Sequence, residues 1–197
     1  MKDKEENEEV RNRIEIIRKE CIDKLLESLK TGKLENFNFM NCYTEVRNLA
    51  DEREEEILIL LYYRTIEDYI IQCKTKLIEE SKTNLIDGFL LHTKNINFLI
   101  YWMVKVFSYL DFYYNRRIGK TLSEKAMDYY KSLFFKEFKD KIQEEFNNLK
   151  KEENKGSEES QSKIKSIMEI LESLELENPK ITKEKGQIKW VNENKNK

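Results

Sequence analysis

Proline occurs once in the 197 residues, glycine five times and histidine once. So few turn formers, beside charged residues at 38%, are the profile of long, solvent-faced helices. The isolated glycines build neither GxGxxG nor GxxxxGK, so no phosphate-cradling loop is present. A single histidine excludes most acid/base and nucleophilic schemes, because a Ser or Cys nucleophile usually needs an imidazole held by a third group. His92 has no such partners in the sequence and reads as a helix-surface residue. ExxH pairs, which a di-metal bundle requires, are absent as well.

Cysteine is also scarce. Cys21, Cys42 and Cys73 fall at helical spacings with no close pair and no signal peptide before them. They read as reduced core thiols of a cytoplasmic or nuclear protein, neither a disulfide framework nor a zinc site. An excess of either charge is lacking too, the formal net charge being −2. Nucleic acid binding needs at least a basic stripe, and the one compact cluster, Arg116, Arg117 and Lys120, sits at a helix end, where cations favour the dipole. Acidic runs such as Glu79-Glu80 and Glu144-Glu145 lie beside lysines on solvent-facing helix surfaces. No enzyme, cofactor or metal site is expected.

What is present is one very apolar stretch, Ile96 to Arg117, INFLIYWMVKVFSYLDFYYNRR. Apolar side chains point in almost every direction around it, so a helix here must be buried. Lys105 and Asp111 within it, each costing about 3 kcal/mol at a bilayer centre, argue against a membrane span.

The other helices are arranged around that stretch. Val10, Ile14, Ile17, Cys21 and Leu25 predict a first helix from Glu9 to Leu29, ended by Gly32. Asn36 or Asn38 can cap a second, Phe39 to Ala50. Asp51 and Glu54 have the form of a cap for a third, running to Glu80, and the break Ser81 to Asn84 precedes a fourth, Leu85 to Arg117, stopped by Gly119. Thr121-Leu-Ser-Glu124 is a capping box opening a fifth helix to Lys151, with Leu122, Ala126, Tyr129 and Leu133 inward. After KEENKGSEESQS a weaker sixth, Lys163 to Glu175, carries Ile164, Ile167, Met168 and Leu171 with nothing obvious to pack on, and Pro179 ends it. The fold class is all-α: a five-helix bundle and a partial sixth helix.

The second helix carries the functional signal. At about 100° per residue its apolar arc covers half the circumference, wider than one-sided packing needs. Phe39, Tyr43, Val46 and Ala50 share one face, with Cys42 and Leu49 to one side of it and Met40 to the other, an arc wide enough either to be wedged between two neighbouring helices or to leave an apolar edge for a partner.

These residues resemble a known family. FMNCYTEVRNL is similar to the second helix of the first cullin repeat, and EDYI at Glu67 to Ile70 to its third-helix pattern. WMVKVFSYLDFYYNRR resembles the cullin W…YLDRYF segment with its basic pair, and LSEKAMDYYKSLFFKEF the fifth helix. KEENKGSEESQSKIKSIMEIL looks like the joint between repeats one and two. The likeness runs in order from Ile14 to Leu174.

It implies a first cullin-like repeat over 10–151 and a linker and second-repeat start over 152–178, while polar composition alone predicts a charged disordered tail over 1–9 and another over 179–197. It also implies a non-catalytic scaffold of a cullin-RING ubiquitin ligase, serving ubiquitin-dependent protein degradation. A BTB-fold or Skp-type adaptor would dock on helices two and five. The family's adaptor-facing positions fall on Phe39, Met40, Tyr43 and Arg47, and on Ser123 and Met127. Several cullins have an aromatic at the Ser123 position and another near Arg47, where this chain departs from them. Nothing after Leu174 resembles the later repeats or the RING-binding region, so no RING subunit is expected on this chain. A structural helical protein that self-associates through the sixth helix, or that belongs to a tethering complex, is the alternative.

Overall fold

The computed structural model describes residues 2–80, 84–112, 119–153, 158–174, 180–181 and 188–189. Helix α1 covers 2–31: Lys2–Ile17, a π-helical segment Arg18–Asp23, and Lys24–Thr31. Then come α2 (Phe39–Asp51), α3 (Glu55–Glu80) and α4 (Leu85–Phe107), the last continued by a 3₁₀ turn, Ser108–Leu110. Helix α5 covers 122–153 as Leu122–Tyr129, a π-helical segment Tyr130–Phe135, and Lys136–Glu153. Helix α6 is Glu158–Ser173, and a two-residue antiparallel ladder pairs β1 (Lys180–Ile181) with β2 (Ile188–Lys189). The fold is all-α, as the sequence pattern requires.

Contacts sort the chain into two compact units, residues 1–70 with 94–129 and residues 71–93 with 130–197. Helices α3 and α4 and the π-interrupted α5 each contribute to both. In the first unit Ile17, Leu25, Val46, Tyr62, Met103 and Phe107 are buried, and the Tyr62 hydroxyl donates to the Leu122 carbonyl at 3.2 Å. In the second, Phe89 stacks on Phe134 at 5.8 Å, and Phe134 meets Phe138 at 5.4 Å.

The helix ends obey local chemistry. Gly32, at φ 72°, receives the chain from α1, its amide bonded to the Ser28 carbonyl at 2.8 Å. Asn38 caps α2, its side chain accepting from the Asn41 amide at 3.1 Å. The capping box closes in both directions: Glu124 Oε2 accepts from the Thr121 amide at 2.7 Å, and Thr121 Oγ1 from the Glu124 amide at 3.1 Å. The bond from the Thr121 amide, and after it one that the Thr121 hydroxyl donates to Glu124 Oε2 at 2.9 Å, hold the Glu124 carboxyl below its ordinary range.

Several expectations need correction. Helix α1 begins at Lys2, earlier than Glu9, its added turns being rich in the helix formers Lys and Glu. Asp51 does not cap α3. It closes α2, and the chain turns through Arg53 at φ 72°, with the Glu54 amide on the Leu49 carbonyl and the Arg53 amide on the Ala50 carbonyl. That is a Schellman ending with arginine where glycine is usual. The stretch after Ile96 is not buried all round, since Tyr101 is 53% and Phe112 59% exposed.

On α5 the buried series is Leu122, Ala126, Tyr130, Phe134, Phe138, Ile142 and Phe146, whereas Tyr129 and Leu133 are half-buried. The π-helical segment adds one residue to the turn and rotates the inner face by one position. His92 is buried, with Nε2 3.3 Å from Glu80 Oε2, not on the surface. Helix α6 does have a partner: it packs on the second half of α5, burying Ile164, Ile167 and Leu171, and Lys163 reaches Asp87 at 3.0 Å. The stripe on which self-association rested is therefore occupied within the chain. Of the basic cluster, Lys120 pairs with Asp128 at 2.8 Å, while Arg116 and Arg117 lie outside the described residues.

Candidate partner-binding surface

Helix α2 is fixed from below. Cys42, Val46, Leu49 and Ala50 form its buried seam, against α1 and the 3₁₀ turn Ser108–Leu110. The seam is centred one position away from the face drawn from sequence, so Phe39 and Tyr43 stand on its rim, half-buried, and Met40 projects at 61% exposure. Arg13 of α1 braces the helix from the side, bonded to Glu52 at 2.6 Å and to Glu45 at 3.4 Å. The bond to Glu52 is the main influence raising the Arg13 pKa.

An aromatic layer borders the rim. Phe39 stacks with Tyr43, centroids 6.0 Å apart, and meets Trp102 of α4 at 6.4 Å. Phe37, just before the cap, sets its edge on Trp102 at 5.4 Å. Tyr101 and Phe98 flank the indole, and Lys105 Nζ lies 4.4 Å from the Tyr101 ring centre. The ammonium over that ring face makes an exposed tyrosine tolerable on an otherwise apolar helix. Phe37, Trp102, Tyr101 and Lys105 were missed in the sequence, although Phe98, Tyr101, Trp102 and Lys105 are spaced i, i+3, i+4, i+7 on one helix face.

Arg47 belongs to a second set. Its guanidinium sits 5.6 Å from the Tyr109 ring centre and 3.7 Å from Asp51 Oδ2, while the Tyr109 hydroxyl donates to Asp51 Oδ1 at 2.6 Å. Ser123 and Met127, four residues apart, share one face of the first two turns of α5 and are both half-buried. The capping box and the Asp111 carboxylate, accepting from the Leu122 amide at 2.7 Å, hold that helix start. The described contacts join Phe39 to Tyr43 and Arg47 to Asp51, with Ser123 and Met127 in neither set.

No group of three His, Cys, Asp or Glu residues suited to a metal ion occurs among the described residues. No described helix is long and apolar enough to cross a membrane.

Long packed helices with a partly uncovered apolar edge define a helical scaffold domain. The cullin alpha-solenoid domain model matches residues 18–187, and the chain belongs to the cullin family. It is 24% identical over 156 residues to Cullin-1 of Oryza sativa subsp. japonica, covering 74% of this chain. The matched part is 20% of that rice protein's length.

Proposed function

We propose that this chain acts as the adaptor-docking part of a cullin-type scaffold. It takes a BTB-fold or Skp-type protein on the exposed rim of α2 and on the start of α5, within an intracellular ubiquitin ligase. Met40 supports this most directly: a long, flexible apolar side chain 61% exposed beside the half-buried rings of Phe39 and Tyr43. Such a projecting anchor, ringed by groups that exclude water on contact, is the usual form of an interface hot spot. Tyr43 and Arg47 lie one and two turns further along α2, and Ser123 and Met127 would form the second wall. Cullins are scaffolds rather than enzymes, and family membership is what supports a non-catalytic role for this chain.

The test is calorimetric titration of the chain with Skp-type and BTB-fold proteins of the same organism, in parallel with a Met40→Asp variant. Binding by the parent that falls at least tenfold in the variant supports the docking surface. Equal affinity for both, or none by either, would remove it.

A further inference from the structure

Helix α3 is apolar on two opposite sides. Its inner side buries Leu58, Tyr62, Ile66, Ile70, Cys73 and Leu77. Its outer side carries Ile57, Leu60, Ile71 and Ile78 at 38–47% exposure, four of the nine large apolar side chains that are exposed among the described residues. No other helix leaves as many uncovered, and a run of them along one face marks a contact surface.

At about 100° per residue these four, together with Arg64 and Asp68, fall within an arc of about 80° on the outer side. Arg64 and Asp68 are exposed and one turn apart, and no side-chain hydrogen bond or ion pair engages either of them among the described residues. Helix α3 runs unbroken from Glu55 to Glu80, so helix geometry alone sets the spacing along the stripe.

The order of residues along the stripe selects the occupant. Apolar groups stand at both ends, and in the middle a cation precedes an anion. Such a pattern is complementary to its own reverse. A second copy laid antiparallel, about a two-fold axis level with Ile66, sets each Arg64 against the Asp68 of the other chain and each Leu60 against the other Ile71. Parallel pairing in register would set Arg64 against Arg64 and Asp68 against Asp68, which like charges oppose.

We propose that this face is a homodimer interface, in which α3 pairs antiparallel with α3 of a second copy through Ile57, Leu60, Arg64, Asp68 and Ile71. The apolar residues supply the buried surface, and the two central ion pairs fix direction and register. The pairing does not depend on adaptor docking at α2.

Sedimentation velocity of the full chain over a concentration series tests it. The parent should pass from monomer to dimer as concentration rises, and weakly, because a pairing confined to one helix face belongs with interfaces below about 1,200 Å². Arg64→Asp and Asp68→Arg should each weaken dimerisation about tenfold or more, since each sets like charges across the axis. Both positions are exposed, so helical circular dichroism should match the parent's. An equimolar mixture of the two single variants should recover the dimer, because each chain then carries the charges that the other faces. A parent monomeric at every concentration would overturn the pairing and leave the face to a different protein. Dimers that both variants form as readily as the parent, or a mixture as monomeric as its components, would overturn it too.

Discussion

Lys163 of α6 places its ammonium 3.0 Å from Asp87 of α4, across 76 residues of sequence. Glu159, one turn earlier, holds the same ammonium at 2.7 Å. Burial pushes the Asp87 carboxyl up, but hydrogen bonds from Asn84 and Lys163 outweigh it and leave the group below its ordinary 3.8. Lys163 is raised above 10.5, by Glu159 first and Asp87 second.

The signs fix a pH window. A carboxyl lowered on folding contributes stability that is complete above its unfolded value and disappears as pH falls through the folded one. A raised lysine contributes below its unfolded value and loses that as pH rises through the folded one. The tether therefore acts on a plateau from roughly pH 4 to 10. Lys163→Met should lower the melting temperature near neutral pH, and the difference from the parent should close once acid has protonated Asp87. A gap that persists undiminished in acid would mean the lysine stem, not its charge, does the holding.

Arg53 occupies the left-handed region at φ 72°, where a Cβ costs about 1–2 kcal/mol. Glycine there relieves the strain but adds entropy to the unfolded chain. Arg53→Gly should thus raise stability by about 0.5–1 kcal/mol, read as a higher urea midpoint with an unchanged slope. A fall in the midpoint would show that the arginine side chain contributes more than its backbone strain costs.

Gly88, in the first turn of α4, gives the opposite case. A Cβ on it would stand 2.8 Å from Leu77 Cδ1 and 3.1 Å from Glu80 Oε2. Leu77 is fully buried, so its methyl has little room to retreat. Alanine would gain about 1 kcal/mol of helix propensity, yet overpacking costs about 1–3 kcal/mol. Gly88→Ala should be neutral to destabilising in urea denaturation, despite glycine being a poor helix former.

Thr93 and Tyr130 share a buried hydrogen bond of 2.9 Å, and burial raises the phenol well above its ordinary value. Tyr130→Phe takes away that partner of the Thr93 hydroxyl and should cost about 1–3 kcal/mol. Adding Thr93→Val removes the second polar group and should recover part of the loss. A double-mutant cycle by chemical denaturation measures the coupling, and strict additivity would show that the bond contributes nothing.

The helices were legible in the sequence because period and caps agree: Asn38, the Thr121–Glu124 box and Gly32 act as their residue types require. Tyr130 and Phe134 were not read as inner residues, because a regular helix from Leu122 points Tyr129 and Leu133 inward. The doubled aromatics Tyr129-Tyr130 and Phe134-Phe135 keep an apolar residue at hand in either register, which hides a π-helical turn from any 3.6-residue count. His92 was misplaced for a related reason. Its partner Glu80 stands on the preceding helix, and a pairing between helices leaves no trace in the spacing along one of them. At the candidate surface, Phe39 and Met40 were legible as an edge, but the Trp102 ring that meets Phe39 comes from outside α2.

That contact separates the two anchors. Phe39 meets both Tyr43 and Trp102, so Phe39→Ala removes a half-buried ring and should cost about 2 kcal/mol of folding stability, some half of the usual figure for a core phenylalanine. Met40, at 61% exposure, has little to lose, and Met40→Ala should stay within about 0.5 kcal/mol of the parent. If adaptor docking uses this rim, the order reverses in binding, where the projecting methionine should cost about 2 kcal/mol or more. Denaturation midpoints and adaptor titrations on the two single variants give both orders. A methionine variant that loses binding while keeping its midpoint assigns Met40 to the partner. Losses that track stability in both variants would assign the rim to the fold alone.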